Sequence, residues 1–312
     1  MLIFLYGPDT YRSKRKLSEI IEEYKKVHRI GLSLVFFEGG DLKLASLKEA
    51  IRQTSIFDEK KLLVISNVSA NQDFKEKFLK NSEFFESLKD TVLFYEEDEI
   101  PAKDKFFAFL KNKAKVQNFQ FLQGENLKKW IRQELAGFKA EISPEAMTKL
   151  VDSVGSDLWR LSNEINKLVS FRKKERKVNL EDVELLVKPK IETAIFKTID
   201  AIAQKDKKQA LLLIHRHLKK GDSPLYLLSM INFQFRNLLV VKDLMERRQP
   251  YGAILKAVKL HPFVVKKSYY QAQKFTLAEL KKIYRKIFQA DLDIKTGKVN
   301  PETALDLLIA ET

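Results

Sequence analysis

A chain of 312 residues, 45% hydrophobic and 32% charged, has material for two or three cored domains. The lack of cysteine excludes disulfides, thiolate nucleophiles and cysteine-based zinc sites. Formal net charge is +15, divided as +2 for residues 1–120, +3 for 121–190 and +10 for 191–312. A basic last third suggests a polyanionic partner such as nucleic acid, or simply a Lys-rich solvated surface. The opening Met1–Tyr6 run has no basic flank and soon meets Asp9, so it does not read as a secretory signal. The most apolar stretch, Leu225–Val241, is broken by Asn232, Gln234, Arg236 and Asn237, too polar for a bilayer span. A soluble protein of the reducing cytoplasm is expected, with no membrane partner.

Through residue 122 short β-rich runs alternate with amphipathic helical segments. The runs are Leu2–Tyr6, Leu34–Phe37, Leu62–Ser66, Val92–Tyr95 and Val116–Leu122. Between the first two, Tyr11–Lys26 carries Leu17, Ile20, Ile21 and Tyr24 on one helical face. Short apolar strands separated by helices predict a mostly parallel sheet covered on both faces. After Gln123-Gly124 no strand pattern is evident. Leu127, Trp130, Ile131 and Leu135 open a small bundle, in which Ser143-Pro144, Gly155-Ser156-Asp157 and Asn179 start successive helices. From Ile191 the pattern stays helical. Ser223-Pro224 opens an unusually apolar helix reaching about Met245, expected to be buried on several sides. Leu277, Leu280, Ile283, Ile287 and Asp291 mark another helix, and Asn300-Pro301 starts the last.

The turn after the first strand is where a nucleotide fold would hold phosphate, using GxxxxGK[ST]. Here it reads Gly7-Pro8-Asp9-Thr10-Tyr11-Arg12-Ser13-Lys14. Gly7 is present, but Arg12 stands for the second glycine, Ser13 for the lysine and Lys14 for the hydroxyl. A bulky side chain at the close approach and an acid inside the loop argue against nucleotide. The acids after the fourth run, Glu96, Glu97 and Asp98, look like metal ligands. However, acidic loops after strands are common, and the third run, the better metal-binding strand, ends in neutral Ser66-Asn67. His215 and His217 are two apart on a helix and face different sides, while His28 and His261 are isolated. No catalytic residue, metal or cofactor is expected.

The order of Leu5-Tyr6-Gly7-Pro8-Asp9-Thr10-Tyr11, Ser55-Ile56-Phe57-Asp58-Glu59-Lys60-Lys61-Leu62, Gly155-Ser156-Asp157-Leu158 with Asn163-Glu164-Ile165-Asn166-Lys167-Leu168, and Ile294-Lys295-Thr296-Gly297 resembles the delta subunits of bacterial DNA polymerase III clamp loaders, essentially from residue 2 to about 309. The resemblance implies an α/β plus all-α chain in three parts. These are a degenerate P-loop, AAA+-type α/β domain (1–122), a three-helix lid (123–189) and a C-terminal helical collar used in oligomerisation (190–312). It implies a non-enzymatic role in replication: opening the sliding clamp for loading onto primed DNA, beside ATPase subunits and delta prime. The implied clamp-binding element is Ser55, Ile56 and Phe57, where some relatives carry Leu at the second position. By the residues alone, Ile56 and Phe57 also suit ordinary packing where a helix turns into a strand.

In the collar, Leu225, Leu228, Ile231 and Phe235 are candidate contacts to sister subunits. Lys281, Lys282, Arg285 and Lys286 are candidate DNA phosphate contacts, or else a solvated helix face, with no base-reading motif. Two other functions are open: a nucleotide hydrolase with an unconventional P-loop, and a stand-alone basic DNA-binding protein.

Overall fold

The computed structural model describes residues 1–28, 33–53, 60–101, 103–172, 176–188, 191–258 and 260–312, with backbone alone at 191–194. It divides into two units, Met1–Leu122 and Gln123–Thr312.

In the first unit the elements run β1 (Leu2–Tyr6), α1 (Thr10–Val27), β2 (Leu34–Glu38), α2 (Leu44–Arg52), β3 (Leu62–Ser66), α3 (Gln72–Lys80), α4 (Ser82–Glu86), β4 (Thr91–Glu96), α5 (Lys105–Lys113) and β5 (Lys115–Asn118). All five strands are parallel, in the order β2-β3-β4-β1-β5, with Phe4 opposite Phe94 and Val64 opposite Leu93. Successive side chains leave a strand on opposite faces, so both faces of β1, β3 and β4 need cover. Phe4, Leu63, Ile65, Val92 and Phe94 pack with Phe74, Phe78, Phe85, Phe106 and Phe107 from the helices of one side. Phe78 stacks on Phe85 at 4.1 Å and meets Phe94 and Phe106 edge-on at 5.4 and 5.3 Å. On the other side Leu5, Leu62, Val64, Leu93 and Tyr95 take the stripe Leu17, Ile20, Ile21 and Tyr24 of α1. This is the AAA+-type α/β layer expected from the sequence. The fifth strand is shorter than its apolar run suggests. β5 is exposed along its length, and the chain turns at Phe119, whose ring is buried and whose N–H donates to Tyr6 O at 2.8 Å.

The second unit runs α6 (Gly124–Gly137), β6 (Glu141–Ile142), α7 (Pro144–Val154), α8 (Leu158–Phe171), β7 (Lys177–Val178), α9 (Leu180–Leu186), α10 (Ile191–Ala203), α11 (Lys207–Lys219), α12 (Pro224–Glu246), α13 (Tyr251–Ala257), α14 (Pro262–Ala272), α15 (Leu277–Lys295) and α16 (Pro301–Glu311). The expected starts at α7 to α9 are present, with α6 ahead of them. Ser143 accepts from Ala146 N, Asp157 accepts from Arg160 N, and Asn179 forms a reciprocal capping box with Asp182. The absence of strands after residue 123 is corrected by β6 and β7, a parallel pair of two residues each. Two residues cannot display a period, so no pattern announces them.

Helix α12 buries Leu227, Leu228, Ile231, Phe235, Leu238 and Val241 among α10, α14, α15 and α16. Two of its polar interruptions are also inside. Gln234 Nε2 donates to Ser268 Oγ (3.1 Å) and Gln271 Oε1 (3.0 Å), and Gln271 Nε2 donates to Phe196 O (2.8 Å). These bonds satisfy polar groups whose burial would otherwise be costly. No helix among the described residues is long and apolar enough to cross a membrane.

Candidate functional site

The β1–α1 turn keeps the backbone course of a phosphate loop and fills it with its own charges. Gly7 has φ +126°, and a Cβ there would lie 2.5 Å from Phe119 O, so only glycine fits. Asp9 is the N-cap of α1: its Oδ1 accepts from Arg12 N at 3.1 Å and its Oδ2 from Arg12 Nε at 2.7 Å. The carboxylate is 3% exposed. Arg12 continues to the carbonyl of Gln120 at 2.5 Å, with its guanidinium 5.9 Å from the Phe119 ring centroid. Ser13 is buried and hydrogen-bonds the Tyr95 hydroxyl at 3.1 Å. Lys14 pairs with Glu97 at 3.0 Å, and that hydrogen bond raises its pKa. Burial pushes the Tyr95 hydroxyl up in turn.

A helix N-terminus attracts anions because its first N–H groups are unpaired and the helix dipole is positive there. In this chain the anion is Asp9, neutralised by Arg12. A phosphate at the same place would face a buried carboxylate, with no lysine in the loop's lysine position to receive it. Asp9 was readable as an obstacle. Its pairing with Arg12 carried a signal in the cap-to-third-residue spacing, whereas the Gln120 carbonyl lies 108 residues further along and carried none.

The other sequence candidates fall into separate places. Glu96 ends β4 inside the protein, 3% exposed, and accepts from Val68 N at 2.7 Å. Burial pushes its pKa up to about 7, against the hydrogen bonds from Val68 and Ser69 that favour the charged form. With Glu97 on Lys14, these acids do not converge, and no metal-holding cluster of His, Cys, Asp or Glu exists among the described residues. His215 pairs with Asp306 (3.0 Å) and His217 with Asp222 (2.7 Å), on different sides of α11. His261 Nδ1 accepts from Phe263 N at the start of α14. Ser55, Ile56 and Phe57 lie outside the described residues.

On α15 the four basic residues divide. Lys281, Lys282 and Arg285 are exposed, opposite buried Leu280, Ile283 and Ile287. Lys286 is half-buried and turned to α16, where it donates to Glu311 O and lies 3.5 Å from its carboxylate. Of the apolar positions expected to meet other subunits, Leu228, Ile231 and Phe235 are buried in this chain's own core, and only Leu225 is exposed. The exposed apolar side chains of α15 are Phe288, 65% exposed, and Leu292. Phe288 was passed over because it follows the core position Ile287 and falls outside the stripe used to recognise the helix.

Comparison with known proteins agrees along the chain. Residues 192–312 match the family model for the C-terminal domain of the DNA polymerase III delta subunit. The chain is 26% identical over 319 residues to DNA polymerase III subunit delta of Bacillus subtilis, covering 98% of this chain and 91% of that one. It is 21% identical over 285 residues to the probable DNA polymerase III subunit delta of Aquifex aeolicus, covering 86% and 79%. The solved Bacillus subtilis DNA clamp loader delta protein shares its fold, with a TM-score of 0.77 over 99% of this chain and 94% of that one, at 23% identity. The end-to-end agreement of motifs, fold and relatives places the chain in the DNA polymerase III delta subunit family.

Proposed function

We propose that this chain is the clamp-loader subunit that binds the sliding clamp and opens it for loading onto primed DNA, without binding or hydrolysing ATP. The observation that carries the proposal is the Asp9–Arg12 pair standing where a nucleotide fold holds phosphate, with Ser13 in the position of the phosphate lysine. A scaffold of this kind that cannot grip nucleotide is suited to contact and leverage rather than chemistry. Ile56 and Phe57, preceded by Ser55, plug an apolar pocket on the clamp. Residues 1–122, 123–189 and 190–312 act as the α/β domain, lid and collar of an assembly with ATPase subunits and delta prime. Within it, Leu225, Phe288 and Leu292 offer exposed apolar surface to neighbours. Lys281, Lys282 and Arg285 meet DNA phosphates without reading sequence, and Lys286 contributes less because it is tied to Glu311. The role is cytoplasmic.

Calorimetric titration of the full chain with Mg·ATP separates this reading from a hydrolase with an unusual loop. No saturable heat is expected up to about 1 mM nucleotide. Saturable binding below that concentration, or ATP turnover by the isolated chain, overturns the proposal.

A further inference from the structure

Lys61 is a lysine at 8% exposure, immediately ahead of β3. Its ammonium donates to the carbonyls of Ala50 (2.7 Å), Ile51 (3.1 Å) and Gln53. Those three bonds use all the donors an ammonium has. The acceptors are carbonyls at the C-terminal end of α2, where the helix leaves them without intrahelical partners and carries its negative pole. Buried lysines are rare unless their charge is met. Here it is met by a helix end.

The backbone of the same residue is fixed from the other side. Lys61 N donates to Asp90 Oδ1 at 2.9 Å, and Lys61 O accepts from Thr91 N at 2.8 Å in the sheet. The Tyr24 hydroxyl donates to Lys60 O at 2.7 Å. Residues 54–60 therefore leave the end of α2 and return to β3 at two points joined by one side chain. This segment contains Ser55, Ile56 and Phe57.

We infer that Lys61 is a positioning residue for the clamp contact, holding together the two ends of the segment that bears Ile56 and Phe57. The inference rests on the clamp-contact reading above. A segment with fixed ends has less freedom to lose when its side chains enter a partner's pocket. Removing the clasp therefore weakens binding without removing a contact atom.

The test is a double-mutant cycle on the full chain, with affinity for the purified sliding clamp measured well below the melting temperature. Lys61→Met is expected to weaken binding by about tenfold in the wild-type background. It is expected to add almost nothing once Ile56 and Phe57 are both alanine, because the positioned groups are then gone. Lys61→Gln keeps two donors, so it is expected to fall between wild type and Lys61→Met, and it takes the latter's place in the cycle should that variant not fold. An unchanged affinity for Lys61→Met, or an equal loss in both backgrounds as a general structural defect would produce, overturns the inference. If the Ile56/Phe57 double variant itself binds normally, the clamp-contact reading has failed, and the inference falls with it.

Discussion

Alanine at both Ile56 and Phe57 is expected to weaken binding of the sliding clamp by on the order of 10²-fold or more. Fully burying one such side chain is worth roughly 1.5–3 kcal/mol, so the pair can supply about 3–6 kcal/mol. A small number of adjacent apolar anchors commonly carries most of an interface. Surface plasmon resonance with immobilised clamp measures the change directly. Thermal melting of the same variant separates a lost contact from a damaged fold, since the contact reading predicts a large affinity loss with little change in melting temperature. Normal binding by the double variant would show that the pair packs within the chain rather than against a partner.

A second large effect is expected from acidity. Glu96 is buried with its pKa pushed up to about 7 from an ordinary 4.5. The folded state therefore holds a proton that the unfolded state releases earlier. Its contribution to stability is complete below about pH 4.5 and is lost as pH rises through about 7. The difference corresponds to about 3 kcal/mol across that window. Glu96→Gln keeps an oxygen for the Val68 N–H but cannot ionise. Denaturant melts at pH 5 and pH 8 should show wild type losing about 3 kcal/mol relative to the variant on going to the higher pH. Parallel stability curves for the two proteins would mean that Glu96 ionises in the folded state as readily as in water.

Local chemistry accounts for what could be read from the sequence. The five strands were visible as apolar runs, and the helix starts at Ser143-Pro144, Asp157, Asn179 and Asn300-Pro301 were visible as caps. What escaped depends on distant partners or on lengths too short to show a period. The β6–β7 pair has two residues a side. The run Val116–Leu122 looked like one strand because nothing local shows that Phe119 turns into the core. Leu228, Ile231 and Phe235 display the same helical stripe whether they face their own core or another subunit, and here they face their own.

The loop after β1 was readable as chemically disabled from Arg12, Ser13 and Lys14. That the phosphate place is filled by Asp9 and sealed toward Gln120 required the fold. Lys61 read as one more basic residue in a charged run, because its three carbonyl partners are a property of how α2 ends beside β3.

The central claim is that this member of the delta family meets its partner through contact, independent of nucleotide held by its own α/β domain. Titration of the purified full chain into purified sliding clamp, first without nucleotide and then with Mg·ATP, tests it most directly. Saturable association of equal strength in both titrations is predicted. No association in either, or association only when ATP is present, would contradict it.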